Sequence, residues 1–207
     1  MIVQPIIHVV DDDADFRKSI ARLLRLSGYV ASQYDSAQQF LDECNQEVPG
    51  CVLLDLDMPK MTGLQLLGRL EELHTSLPII FLSGRGNIAS SVKAIKAGAE
   101  DFLCKPASRK DVLEAIERAI SRNQTMLEKK AQIDDFRARV AALTPREKQV
   151  YALVVSGKLN KQIAYELSTT ERTIKAHRQK VMHKLHVQTV VDLVSFAERF
   201  AALDKAG

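Results

Sequence analysis

Apolar residues fall along this chain in two rhythms. In the first 122 positions, short runs of consecutive apolar residues alternate with stretches in which they recur every three or four. The runs are Ile6-Ile7-His8-Val9-Val10, residues 29–34, Cys51-Val52-Leu53-Leu54, Ile79-Ile80-Phe81-Leu82 and Asp101-Phe102-Leu103-Cys104. Apolar, branched runs of this length read as strands buried on both faces, the pattern of a parallel sheet covered by helices. Between them, helical spacing marks residues 15–26 (Phe16, Ile20, Leu23, Leu24), the segment holding Phe40 and Leu41, 64–73, 88–97 and a stretch from Lys110. Ser36 and Ser108 are caps, and Ser27-Gly28 and Gly98 are stops. Strands alternating with helices predict an α/β, doubly wound, five-stranded parallel sheet with right-handed crossovers.

After residue 122 the rhythm is helical throughout. Residues 126–140 are highly charged, lack Pro and Gly, and place Met126, Ile133, Phe136 and Val140 near a 3.6 period. They predict a helical linker, either a solvated helix or a coiled-coil-like dimer contact. Thr144, Pro145 and Glu147 form a capping box with Pro at the first helical position. That helix carries Val150, Leu153 and Val154 and stops at Gly157. A short helix over 161–167, the polar turn Ser168-Thr169-Thr170 and a helix over 171–185 follow, then one over 190–200. Two short helices joined by a tight turn predict a helix-turn-helix. The expected layout is 1–122 for the α/β domain, 123–141 for the linker and 142–207 for an all-α domain.

Charge sharpens this division. The formal net charge of +3 conceals 14 Lys+Arg against 17 Asp+Glu up to residue 122, and 15 against 9 beyond it. A basic back half is a candidate for nucleic acid. In the helix over 171–185, Arg172, Lys175, Arg178, Lys180 and Lys184 are basic, and no acid follows Glu171. A basic second helix would enter the major groove of double-stranded DNA. Cys44, Cys51 and Cys104 are odd in number and form no CxxC, so they read as small buried core residues. No apolar run approaches the roughly 20 residues that span a bilayer. Met1-Ile2-Val3-Gln4-Pro5 lacks the features of a signal peptide. The expectation is a cytoplasmic protein without a membrane partner.

The candidate chemistry lies where the strands end. Strand one ends at Asp11 and Asp12, strand three at Asp55, strand four at Ser83 and strand five at Lys105. In open α/β sheets ligands sit outside the carboxyl ends of the strands. Clustered carboxylates repel unless a cation neutralises them, and oxygen-only ligands suit Mg²⁺. Asp55 is then a carboxylate nucleophile for phosphorus, with Lys105 and Mg²⁺ stabilising the transferring charge and Ser83 bonding the phosphoryl oxygens.

Val10-Asp11-Asp12, Asp55 with Met58-Pro59, Ser83-Gly84 and Lys105-Pro106 resemble, in order and spacing, the two-component receiver domains. The resemblance covers roughly residues 5–122. It implies a CheY-like domain phosphorylated on Asp55 by a sensor histidine kinase. It implies Mg²⁺ held by Asp12, Asp55 and the backbone carbonyl of Asp57, with Asp11 assisting through water. It also implies a cis Lys105–Pro106 peptide and an aromatic switch at Phe102. Leu143-Thr144-Pro145-Arg146-Glu147, Asn160-Lys161-Gln162-Ile163-Ala164 and Arg172-Thr173-Ile174-Lys175-Ala176-His177 resemble the LuxR-type helix-turn-helix. By that resemblance Lys175, Ala176 and Gln179 face base edges, and Thr173, His177, Arg178 and Lys180 lie near the DNA backbone. Together the two halves resemble a FixJ/NarL-type response regulator. Such a protein is a phosphorylation-dependent transcription factor acting at a promoter, with RNA polymerase as a further partner; phosphorylation is expected to make it a homodimer, to release its DNA-binding domain, or both.

Two rival readings stand beside this one. Asp55-Leu56-Asp57 after an apolar strand also resembles the nucleophile motif of haloacid-dehalogenase-type phosphatases, an enzyme class. There, however, the acid pair comes near the end, and Met58-Pro59 replaces the usual continuation. A phosphorylation-independent DNA-binding regulator is the other, and the intact acid cluster with Lys105 argues against it.

Overall fold

The computed structural model describes residues 4–44, 48–73, 75, 77–84 and 88–204. Residues 1–3, the start read above for a leader, lie outside the described residues. The chain divides into two compact units between Glu128 and Lys129.

In the first unit the elements run β1 (Ile6–Val10), α1 (Ala14–Leu26), β2 (Val30–Tyr34), α2 (Ala37–Glu43), β3 (Gly50–Asp55), α3 (Gly63–Glu72), β4 (Ile79–Ser83), α4 (Ile88–Lys96), β5 (Asp101–Cys104) and the start of α5 (Arg109–Ala141). The strands pair in parallel in the order β2-β1-β3-β4-β5. Strand periodicity sorts each apolar run onto two faces. Val52 and Leu54 of β3 join Val10, Phe81, Phe40, Leu66 and Leu70 in one core. Cys51 and Leu53 join Ile7, Val9, Leu24, Ile80 and Ile116 in the other. β3 is buried at all six positions, as its unbroken apolar run requires.

Gly63, first residue of α3, marks where this helix presses on the central strand. A side chain there would put its Cβ 2.3 Å from the Asp55 carbonyl oxygen and 2.7 Å from the Phe81 ring.

The last receiver helix and the linker segment form one element, α5, because nothing at 121–126 breaks it. Within it the polar Asn123 is fully buried, and its Oδ1 accepts a hydrogen bond from the Gly50 amide at 3.0 Å. The cysteines, expected in the core, differ among themselves. Cys51 is buried, Cys44 is half-buried and Cys104 is exposed at the end of the edge strand β5.

The second unit contains the end of α5, then α6 (Pro145–Val155), α7 (Asn160–Glu166), α8 (Glu171–Leu185) and α9 (Val190–Asp204). Its core unites Phe136, Leu143, Val150, Val154, Ile163, Ile174, Val181, Leu185 and Leu193. The linker stripe is thus partly spent within the chain. Phe136 is buried and stacks on Phe196 at 5.1 Å between ring centroids, 17° from parallel, and Val140 packs beside it. Met126, by contrast, stays exposed.

Candidate functional site

A parallel sheet brings the carboxyl ends of its strands to one edge, and here that edge collects charge. Asp55 is the last residue of β3, Asp11 follows β1, Ser83 ends β4 and Lys105 follows β5. The Lys105 ammonium donates to Asp11 Oδ2 at 2.6 Å and to Asp55 Oδ1 at 2.7 Å. The other oxygen of each carboxylate accepts a backbone amide two residues on, Asp13 for Asp11 at 2.9 Å and Asp57 for Asp55 at 2.8 Å. Each acid therefore holds its own loop with one oxygen and shares a cation with the other.

Asp11 and Asp55 are buried, and side-chain exposure at Lys105 is 18%. Burial pushes the Asp11 carboxyl above its usual range, against the pull of Lys105 and the Asp13 amide. Burial alone would lower the Lys105 ammonium. The hydrogen bonds and charges of Asp11 and Asp55 outweigh it and hold its pKa above the ordinary lysine value.

Ser83 is buried at the same edge, and its carbonyl accepts the Lys105 amide at 2.9 Å. The Lys105–Pro106 peptide is cis. Phe102 is half-buried, with its ring 6.3 Å from that of Phe81. Asp12 and Asp57 are exposed, and among the described residues no group of three or more His, Cys, Asp or Glu side chains is drawn together as a ready metal cage. The convergent pair is Asp11 with Asp55. Two carboxylates meeting on one cation are the donor set a hard divalent ion accepts, since Mg²⁺ takes one or two carboxylates and completes its shell with water and phosphate oxygens.

Sequence reasoning missed two residues here. Phe16, read as a core position of α1, lies with its ring centroid 4.0 Å from Lys105 Nζ. Arg17, one residue on, donates to the Asp11 carbonyl at 2.5 Å. Their position in the first turn after an acid cluster was the available signal.

The second unit presents a basic helix. Thr170 caps α8 by accepting the Thr173 amide, and Ile174, Val181 and Leu185 bury one side. Lys175, Ala176, Gln179 and Lys180 are exposed, and Thr173 and Arg178 are half-buried. Arg178 Nη1 donates to Asn160 Oδ1, so it also ties α7 to α8. His177 is half-buried, and its Nδ1 is buried without a hydrogen-bond partner among the described residues. Its ring therefore faces partly inward. Lys184 bonds the buried carboxylate of Glu147 at 2.7 Å. That bond, with the Thr144 amide, holds Glu147 down at about 2. Lys175, Arg178, Gln179, Met182, His183 and Gln188 line a concavity of about 430 Å³ on this side of the helix.

Comparisons with known proteins follow the same division. Residues 7–117 match the response regulator receiver domain, and residues 141–197 match the luxR family of bacterial regulatory proteins. The chain is 42% identical over 196 residues to the response regulator protein TmoT of Ectopseudomonas mendocina, covering 95% of this chain and 89% of that one. It is 39% identical to the transcriptional regulatory protein FixJ of Rhizobium meliloti, covering 92% and 94%. Among solved structures, the response regulator StyR superposes with a TM-score of 0.81 at 38% identity, covering 95% and 99%. No helix among the described residues is long and apolar enough to cross a membrane. With both halves matched over nearly their whole length, the chain belongs to the response regulators, a receiver domain followed by a luxR-family DNA-binding domain that regulates transcription.

Proposed function

We propose that Asp55 accepts a phosphoryl group from a sensor histidine kinase, and that the modified chain dimerises and binds promoter DNA through α8. The observation that carries this is the convergence of Asp11 and Asp55 on Lys105 at 2.6 and 2.7 Å, at the carboxyl edge of the sheet. Residues 1–122 are the receiver, 123–141 the link and 142–207 the DNA-binding domain.

Asp11, Asp12, Asp55 and the Asp57 carbonyl would hold Mg²⁺, which when bound neutralises acid and phosphate charge. The chain's own residues do the rest. Asp55 supplies the attacking oxygen. Lys105 passes from the Asp55 carboxylate to the phosphoryl oxygens, which have gained roughly −1.5 to −2 of charge. The Ser83 hydroxyl bonds the same oxygens, and Phe102 leaves its place beside Phe81. Phosphate biases a two-state equilibrium only as far as it stabilises the states differently. The site holds its product rather than turning it over, so steady hydrolysis of small phosphoesters is not expected.

In the DNA-binding domain Lys175, Ala176 and Gln179 face base edges, and Thr173, His177, Arg178 and Lys180 lie near the backbone. A dimer sets two recognition helices about one DNA turn apart, ~34 Å. RNA polymerase is the further partner such a promoter-bound dimer meets.

Sedimentation of the pure protein with Mg²⁺, with and without beryllium fluoride, tests this. A shift from monomer to dimer that Asp55→Asn prevents is the expected result. Binding without a change in size would replace dimerisation by release of the DNA-binding domain. Absence of binding would remove Asp55 as the acceptor.

A further inference from the structure

We infer that Phe16 is a positioning residue for phosphoryl transfer, its ring face holding the Lys105 ammonium in line with Asp55. The inference rests on the reading of Asp55 as the acceptor.

Lys105 is a point charge at the tip of a flexible four-carbon stem. Its position must come from what surrounds the tip. Asp11 and Asp55 take two of its three N–H groups. The Phe16 ring lies 4.0 Å from the nitrogen, well inside the ~6 Å within which a ring face attracts a cation. The ring attracts the ammonium through its quadrupole, so the contact differs in kind from the two ionic ones.

During transfer an Asp55 oxygen forms a bond to phosphorus. The bond from phosphorus to the donor breaks, and its electron pair leaves with the donor. Asp55 is then an acyl phosphate with its carboxylate charge moved outward, so one of the two anchors of Lys105 has changed. The attraction to the ring does not depend on the charge state of Asp55. Phe16 keeps the ammonium within reach while it moves from carboxylate to phosphoryl oxygen.

The ring is itself held to the acid cluster. Asp13 Oδ1 accepts the amides of Asp15 at 2.9 Å and Phe16 at 3.1 Å, capping α1. The Asp13 amide in turn donates to Asp11 Oδ1, and Arg17 grips the Asp11 carbonyl. Two hydrogen bonds thus join the backbone of Phe16 to the carboxylate that shares Lys105. The Phe16 side chain also packs on the core beneath α1. A purely structural Phe16 would need only that packing, and a leucine would serve it.

The test compares Phe16→Leu, which keeps an apolar side chain and removes the π face, with Phe16→Trp, which restores it. Phosphoramidate at saturating Mg²⁺ is the donor, because a small donor makes no protein–protein contact that a change at Phe16 could disturb. Phe16→Leu should lower the limiting rate of phosphorylation by roughly three- to tenfold. The donor concentration at half-saturation should stay within a factor of about two of wild type, a rate effect without a binding effect, and Phe16→Trp should recover most of the rate. An unchanged rate in Phe16→Leu, or equal slowing in both variants, overturns the proposal. A second measurement needs no variant. The Lys105 ε-protons of the wild-type chain should carry an upfield ring-current shift, and ordinary lysine shifts there overturn the contact itself. A wild-type chain inert to the donor would instead sink the acceptor reading, while the ring-current shift would still report on the contact.

Discussion

Lys105 donates to Oδ1 of Asp55 at 2.7 Å while the Asp57 amide donates to Oδ2, so both oxygens of the proposed acceptor are engaged at rest. The lysine also keeps Asp55 and Asp11 from repelling one another, which makes it part of the fold as well as of the chemistry.

Replacing Lys105 by Met should therefore destabilise the first unit at pH 7. Removing one member of a buried ionic group leaves the others unpaired, at a cost of about 3 kcal/mol. The deficit should shrink as pH falls, because Asp11, whose carboxyl is already pushed up by burial, takes up a proton and the repulsion ends. Urea unfolding of wild type and Lys105→Met at pH 7 and pH 5 checks both the size and the trend.

Acid should act separately through His8. This residue of β1 is buried, with Nδ1 3.0 Å from the Tyr34 hydroxyl and the Phe40 ring edge-on at 5.6 Å. Burial lowers its pKa to about 4 from 6.5. The folded chain thus keeps His8 neutral where the unfolded chain protonates it. Stability from this source is complete above pH 6.5 and declines as pH falls toward 4, by up to about 3 kcal/mol. In His8→Asn, which cannot titrate, urea midpoints between pH 7 and 4.5 should fall less steeply than in wild type. Parallel slopes would show that other groups carry the acid sensitivity.

Gly63→Ala should cost roughly 3 kcal/mol, because its methyl group meets backbone at 2.3 Å and neither α3 nor β3 can yield. Since the clash is with the carbonyl of Asp55, the variant should also phosphorylate more slowly than its loss of stability explains. Thermal unfolding and phosphoramidate kinetics at a temperature where both proteins are folded separate the two effects.

The lysines of α8 should divide by role. Lys180 is exposed, and Lys180→Ala should weaken specific and non-specific DNA alike, reducing the slope of log affinity against log salt by about one. Lys184 is bonded to buried Glu147. Lys184→Ala should lower the stability of the second unit and leave the salt slope nearly unchanged. Fluorescence anisotropy across a salt series, beside thermal unfolding, distinguishes them.

Much of this was legible in the sequence because it was written in continuous runs. A five-stranded parallel sheet follows from short, largely apolar segments alternating with helical spacing, and Thr144 with Glu147 announced α6 and formed the expected capping box. What stayed hidden depended on partners far away in the chain. Nothing in the sequence singles out Asn123, because the Gly50 amide that it accepts lies 73 residues earlier. The stripe holding Phe136 suits a solvated helix or a dimer contact equally until Phe196 is folded against it. Phe16 has ordinary helical spacing, and only the reach of Lys105 across the sheet edge gives it a cation to face.

The ammonium clamp also bears on selectivity between two reactions. An acyl phosphate carries two electrophilic atoms, a phosphorus open to carboxylates and a carbonyl carbon open to free amines. Lys105, held protonated between Asp11 and Asp55 with its pKa raised, has no lone pair to offer the carbon. An acylating reagent should mark the exposed lysines of this chain long before Lys105. The arrangement that readies an aspartate for phosphorus thereby shields the adjacent amine from acylation.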